Sequence, residues 1–286
     1  MTLPKVAVLL AGYNGHKYIH EQVLTLLNQE SVSVEIFIRV DGDSKIFENI
    51  VVNLTNSYEN IHFIKGDVIS SPSSNFYELI FEVNGFEFDY YAFCDQDDVW
   101  DSDKLKKSIS FFNDGTVHGY SSGFTTFNAS GKKKKYSVGS QTRFDYLFQS
   151  SGPGCTFVLS RHGFNFLKNY LKLNKELLSV LAHDWLIYFV FRLNGISWVI
   201  DNDSHILYRQ HASNVAGAND GILAKAHRFK LLFKGWYFSD LKRLFLFLEG
   251  RGFRPKFSDV FNLRRSKLQS LFIWTYFWIY FRFNIN

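Results

Sequence analysis

The stretch KVAVLLAGYNGHKYIHEQVLTLLNQE, residues 5–30, decides the fold. Its first half is an unbroken apolar run of strand length that stops in the turn residues Gly12, Asn14 and Gly15. A run with no polar alternation reads as a strand buried on both faces, as in a parallel sheet. In its second half Ile19, Val23, Leu26 and Leu27 repeat at helical spacing and share one face. A strand feeding a helix through a glycine turn is the unit of an α/β fold. The alternation continues. VEIFIRVDGD reads as a second strand, Ile46 to Tyr58 as a helix and IHFIKGD as a third strand. Ser74 or Asn75 then caps a helix from Phe76 to Val83, and DYYAFC is a fourth strand. This order predicts a doubly wound sheet, whose ligands bind at the carboxyl ends of the strands. Three polar clusters stand at those ends: AGYNG (11–15), VDGD (40–43) and DQDD (95–98).

The second half is less regular. HGYSSGFTTFNASGKKKKYSVG reads as a hairpin with ASGKKKK as its solvated tip. SGPGCTFVLSRHGF is a glycine-rich loop entering a strand and then a helix, and HDWLIYFVFRLNG is an apolar helix. ISWVIDNDSHILYRQH reads as a strand pair, and the pattern after Ala218 is helical and aromatic. At 286 residues the chain holds one large domain with an appendage. Residues 1–218 read as the domain, in two parts near 1–110 and 111–218, and residues 219–286 as the appendage.

Two cysteines, Cys94 and Cys155, are too few for a disulfide framework and lack a CxxC zinc pattern, which suits a reducing compartment. The start lacks the basic region and cleavage site of a signal peptide. The longest uncharged C-terminal run, Leu268 to Phe281, has 14 residues. A spanning helix needs about 20. Charge divides unevenly, near −4 before residue 219 and +9 from there on. Basic aromatic helices of that kind lie on anionic membranes or pack as appendages. The acidic first part and the absence of a nucleic-acid module argue against nucleic acid as a partner.

DQDD places three carboxylates in four positions between aromatic and apolar neighbours. Like charges repel there unless a cation sits among them, and Mg²⁺ or Mn²⁺ prefers oxygen ligands together with phosphate. In an extended segment Asp95 and Asp97 project to one side, and Asp98 points elsewhere. The alternative is an acidic turn that caps the next helix. Asp184, likewise, is a helix cap or a functional carboxylate.

Together these segments resemble the family-2 glycosyltransferases, inverting enzymes of the GT-A fold. VAVLLAGYNGHKYIHEQVLTLLNQ is similar to their opening strand and helix, FIRVDGDS to their second strand end, and AFCDQDDVWDSDKL to their DxD segment. GPGCTFVLSR, HDWLIYF and ILYRQHASNVAGA follow in the family's order, so the likeness spans about residues 4–218. It implies a doubly wound mixed sheet with a Rossmann-like nucleotide-binding half and a helical, aromatic C-terminal appendage. It also implies roles. Ala11 and Tyr13 border the nucleobase, Asp41 hydrogen-bonds it, Asp95 contacts ribose or a metal-bound water, and Arg209 and the backbone near Gly154 face the diphosphate. Asp97, Asp95 and His211 hold Mg²⁺ or Mn²⁺, and Asp184 is the catalytic base. Two positions depart from the family pattern: Val40 precedes Asp41 where a second acidic residue is frequent, and Ala11 replaces a hydroxyl residue.

The DxD segment is closest to rhamnosyltransferase-like members. The implied activity is transfer of L-rhamnose from dTDP-L-rhamnose to a growing, lipid-linked bacterial surface polysaccharide such as O-antigen or capsule. The implied location is the bacterial cytoplasm, peripheral on the inner face of the membrane. Two alternatives stand beside it: glucosyl or galactosyl transfer from a UDP-sugar, and a catalytically silent nucleotide-sugar-binding scaffold.

Overall fold

The computed structural model describes residues 2–69, 71–180, 182–211, 236–249, 263–265, 267 and 270–271. Nine strands form one mixed sheet: β1 (Lys5–Tyr13), β2 (Ser33–Asp41), β3 (Ile61–Ile64), β4 (Tyr90–Asp95), β5 (Val99–Trp100), β6 (Gly119–Phe127), β7 (Lys133–Tyr136), β8 (Val158–Ser160) and β9 (Trp198–Arg209). Their order is β3-β2-β1-β4-β8-β6-β9-β5, and β7 pairs with β6. The first four strands run parallel. β8 then pairs antiparallel with both β4 and β6. Among the described residues, the helices with defined bounds are α1 (Ile19–Leu27), α2 (Lys45–Ser57), α3 (Pro72–Glu82), α4 (Lys104–Ser110), α5 (Arg161–Leu173), α6 (His183–Leu193) and α7 (Trp236–Glu249).

Strand alternation sorts the apolar runs into two cores. From β1, Val6, Val8 and Leu10 face α1, α2 and α4, while Ala7 and Leu9 face the layer of α3, α5, α6 and α7. β4 divides the same way, with Ala92 and Cys94 on the first side and Tyr91 and Phe93 on the second. Tyr91 stacks on Phe164 of α5 with ring centroids 3.8 Å apart. Register brings the polar strand ends together, because Tyr13 pairs with Asp41 and Ala11 with Asp95. Past Asp41 the chain turns at Gly42 with φ +103°, a backbone state that strains any residue with a Cβ.

Four local expectations change. α3 begins at Pro72, capped by the Ser71 hydroxyl, which accepts from Ser74 N; Ser74 and Asn75 are therefore inside the helix. Proline fits the first helical position because it needs no N–H partner there. Residues 198–209 form one strand rather than a pair: the Asn202–Asp203 region bulges, and Asp203 N donates to Asp201 Oδ1 at 2.9 Å. Lys133, Lys134 and Lys135 belong to β7, so the hairpin tip ends before them. Asp98 does not point away from Asp95. β4 ends at Asp95 and the chain turns at Gln96 and Asp97, so extended alternation no longer governs these side chains.

Within the expected appendage, α7 packs into the second core through Tyr237, Leu241, Leu244, Phe245 and Leu248. Polar contacts tie the region down as well. Asp145 is 0% exposed. It accepts from Tyr188 Oη at 2.9 and 3.0 Å and pairs with Arg192 at 3.1 Å and Arg265 at 2.9 Å. Arg265 also donates to Ser150 O at 2.9 Å. A buried carboxylate is stable only with its cations in place. Arg265→Ala leaves Arg192 and Tyr188 on Asp145 and should lower stability by about 1–3 kcal/mol. Urea denaturation checks this, and Arg265→Lys should restore only part of the loss, since an ammonium cannot make both contacts with the same fork.

Candidate active site

The ends of β1, β2 and β4 form one edge of the sheet, and the candidate residues gather along it. A cleft of about 370 Å³ is lined by Tyr13, Asn14, Gly42, Asp43 and Ser44. Tyr13 is 54% exposed and offers its ring to this space. Its backbone is held on both sides by one amide: Gln96 Oε1 accepts from Tyr13 N at 2.7 Å, and Gln96 Nε2 donates to Tyr13 O at 2.7 Å. Gly15 is needed beside it, because a Cβ there would lie 2.1 Å from Gln96 Oε1. Ala11 is half-buried against the second core, one position below the edge. Asp41 is 2% exposed and accepts from Ile69 N at 2.7 Å and Ser71 N at 3.0 Å. Its carboxylate thus ties the loop before α3 to the sheet edge.

The acidic turn is the electrostatic centre. Carboxylate oxygens of Asp95 and Asp98 and the Cys155 thiol lie within 4.8 Å of one another. Burial, and then the charge of Asp97, pushes Asp95 up to about 7, against a hydrogen bond with Cys155. Asp98, 1% exposed, is pushed well up by burial and then by Asp95 and Asp97. Asp97 turns the other way, with its Oδ2 2.6 Å from His211 Nε2. His211 stacks on Tyr18, centroids 5.3 Å apart.

Arg209 clamps the turn. Its N donates to Asp98 Oδ1 at 3.2 Å, its Nε to Asp97 O at 2.7 Å, and its guanidinium to Glu21 Oε2 at 2.5 Å. The guanidinium also lies 4.7 Å from the Tyr18 ring and 4.6 Å from Phe127. These contacts make Arg209 first a positioning group for the acidic turn.

Asp184 lies in the first turn of α6, whose N-cap is Ala182, so the cap reading of Asp184 does not hold. Trp185 N donates to Asp184 Oδ1 at 2.7 Å. Burial pushes Asp184 up to about 6, opposed by hydrogen bonds from Trp185 N and the Ser150 side chain. Its charge also reaches Asp95. Next to it, His183 stacks on Phe76 at 4.2 Å, and burial takes its imidazole down to about 3, so it is neutral. Gly154 sits in a short 3₁₀ turn against this ring; a Cβ there would lie 2.5 Å from His183 Nε2.

A divalent cation fits this donor set. Crowded half-buried and buried carboxylates favour added positive charge, and carboxylate oxygens suit Mg²⁺ or Mn²⁺. The expected set of Asp95, Asp97 and His211 is divided here: Asp95 groups with Asp98 and Cys155, and Asp97 with His211. Asp98 Oδ2 is also buried without a hydrogen-bond partner. Sequence reasoning missed several groups that shape the site: Gln96, Asn14, Asp43, Ser44, Asp98 and Ser150. Asn14, Asp43, Gln96 and Asp98 carried a signal, through their places inside AGYNG, VDGD and DQDD; Ser44 and Ser150 carried none.

Comparisons with known proteins agree with this architecture. Residues 8–173 match the family described as Glycosyl transferase family 2. The chain is 35% identical over 239 residues to the dTDP-rhamnosyl transferase RfbG of Shigella flexneri, covering 82% of this chain and 83% of that protein. It is 29% identical over 108 residues to a putative teichuronic acid biosynthesis glycosyltransferase, TuaG, of Bacillus subtilis, covering 38% of this chain and 42% of that one. In structure it resembles S. aureus TarS 1–349 in complex with UDP-GlcNAc, with a TM-score of 0.55, 18% identity, and coverage of 89% of this chain and 77% of that chain. That likeness shows the fold. With its parallel first four strands, its acidic turn at the end of β4 and these relatives, the chain belongs to glycosyltransferase family 2.

Proposed function

We propose that the chain transfers L-rhamnose from dTDP-L-rhamnose, with inversion, to a lipid-linked saccharide of a bacterial surface polysaccharide. The observation that carries this reading is the 35% identity to a dTDP-rhamnosyl transferase over most of both chains. The donor's base lies in the cleft beside Tyr13, and its diphosphate lies near the acidic turn and the backbone around Gly154. Asp95, Asp97 and His211 hold Mg²⁺ or Mn²⁺. When bound, the cation supplies Lewis-acid stabilisation of the charge that develops on the departing diphosphate.

Asp184 is the base. Inversion is one displacement at the anomeric carbon. The acceptor oxygen forms its bond to that carbon from the face opposite the diphosphate, and the carbon–oxygen bond to dTDP breaks with both electrons leaving on dTDP. The acceptor's proton passes to the Asp184 carboxylate. A base shifted to about 6 is largely ionised at neutral pH, yet basic enough to take that proton. No covalent intermediate is needed, so the buried Cys94 and Cys155 stay spectators.

The described residues contain no helix long and apolar enough to cross a membrane. The basic C-terminal region supports peripheral binding to anionic lipid, at about 1 kcal/mol per Lys or Arg near the surface. On this reading the enzyme works at the cytoplasmic face of the bacterial inner membrane.

Asp184→Asn should reduce kcat by about 10²–10⁴-fold while dTDP binding persists. In the parent enzyme, kcat should rise with pH through about 6 and level off above it, because only the ionised carboxylate accepts a proton. A pH–rate profile without that limb argues against Asp184 as base. Asp97→Ala should abolish the Mn²⁺-dependent rise in melting temperature produced by dTDP. If UDP rather than dTDP stabilises the parent protein, the rhamnosyl reading gives way to hexosyl transfer. Flotation with anionic vesicles, lost in high salt and absent with neutral vesicles, is expected of the full chain.

A further inference from the structure

A second group of ligand-type side chains lies where β5 and the start of α4 meet β9, separate from the residues assigned to donor, cation and base. His205 is 6% exposed. Its Nε2 lies 3.0 Å from Asp201 Oδ2, and that same oxygen accepts from Tyr120 Oη at 3.0 Å. An ionised carboxylate only accepts, so the contact requires the proton to sit on Nε2. In neutral imidazole the lone pair is then on Nδ1. His205 Nδ1 is buried and has no hydrogen-bond partner.

Carboxylates stand nearby. β5 pairs with β9, Trp100 opposite Ile206, and Asp101 N donates to His205 O at 3.1 Å. Asp103 follows as the residue preceding α4. A ring nitrogen of His205 and one carboxylate oxygen each from Asp101 and Asp103 lie within 4.8 Å of one another. Lys107 Nζ reaches Asp103 Oδ2 at 2.7 Å, but its side chain is half exposed and free to swing into solvent.

We propose that His205, Asp101 and Asp103 form a binding site for a divalent transition-metal ion of the Zn²⁺ class, distinct from the cation of the donor site. Two features carry this beyond a group of acidic residues. Nδ1 is a buried lone pair with nothing to accept from. In addition, Asp201 fixes the tautomer from behind, as a carboxylate does for a metal-bound histidine. One imidazole nitrogen with two carboxylate oxygens suits Zn²⁺ or Co²⁺ better than Mg²⁺, which keeps to oxygen. An ion here cross-links the segment that follows the Asp95–Asp98 turn to the strand that ends in Arg209. Its role is to brace the acidic turn from outside the donor cleft. The competitor is a metal-free pocket in which Asp101 and Asp103 are solvated turn carboxylates.

The test uses the full chain with Asp97→Ala and His211→Ala, which removes two of the three donor-site ligands, dialysed against chelator and then freed of it. Calorimetric titration with Zn²⁺, and Co²⁺ followed by its visible absorption, should give one ion per chain and a higher melting temperature. Asp101→Asn and Asp103→Asn, each added to that background, should weaken binding at least tenfold. Both sites are at least partly exposed, and circular dichroism verifies that the variants fold. The parent chain carrying only Asp101→Asn or Asp103→Asn should lose the same ion. Absence of binding overturns the proposal. Unchanged affinity in both Asn variants places the ion elsewhere, as on Asp95, Asp98 and Cys155, and overturns it equally.

Discussion

Repulsion among Asp95, Asp97 and Asp98 is the constraint around which the structure is arranged. Buried like charges cost folding free energy, and the chain places three carboxylates at the end of its central strand. The neighbourhood answers with fixed groups. Gln96 anchors the turn to β1 with a paired amide contact, so Tyr13 and the turn move as one piece. Arg209 holds the turn from β9 through Asp98 Oδ1 and Asp97 O, and the Tyr18 and Phe127 rings confine its guanidinium. The parallel strands bring the polar ends together, and these side chains then hold a repulsive arrangement in one geometry.

The base side of the site rests on a different buried charge. Asp145 binds Tyr188 and Arg192 from α6 and Arg265 from beyond α7. α6 carries Asp184 in its first turn. Arg265 also grips Ser150 O, and the Ser150 side chain hydrogen-bonds Asp184. Nearby, Tyr237 of α7 stacks on Trp185, centroids 5.3 Å apart, and Asp240 Oδ2 accepts from Ala182 N at 3.2 Å. The C-terminal region therefore buttresses the helix and loop that hold the candidate base. Its described part is a structural wall of the site as well as a source of positive charge.

Much of this was legible in the sequence, for definable reasons. Unbroken apolar runs ending in glycine and acidic residues locate β1, β2 and β4, since burial on both faces leaves no polar alternation to misread. The edge that gathers Tyr13, Asp41 and Asp95 follows from those runs. What was not legible depends on contacts distant in sequence. Asp98 reads as pointing away from Asp95 only if the segment stays extended, and the turn at Gln96 removes that premise. Asp41 carries no sequence sign that Ile69 N and Ser71 N occupy its oxygens. Proline at the first helical position moves α3 forward, a local rule outweighed in the reading by the Ser74–Asn75 pair. Ser150 and Arg265 sit in unpatterned segments, where spacing says nothing about partners.

The charges behind the acidic turn suggest why one carboxylate of the three differs from the others. Lys104 is fully buried, with its Nζ 3.4 Å from the Trp100 ring centroid. Burial pulls its ammonium down to about 8, and Cys94, Cys155 and Asp98 pull the other way. Lys104 thus sits on the Asp98 side of the turn, its charge opposed by burial and favoured by Asp98, and Arg209 N also reaches Asp98. Groups fixed in the protein cannot leave with product, so they suit a carboxylate whose work is structural. Asp97 instead faces His211, and Asp95 has the thiol of Cys155 for company. Neither has a permanent cation of its own among these contacts. On the proposed reading, that asymmetry is what lets the site accept a cation with each incoming diphosphate. Burial and its neighbours favour the neutral form of the inner carboxylate, and the outer two await a partner that comes and goes.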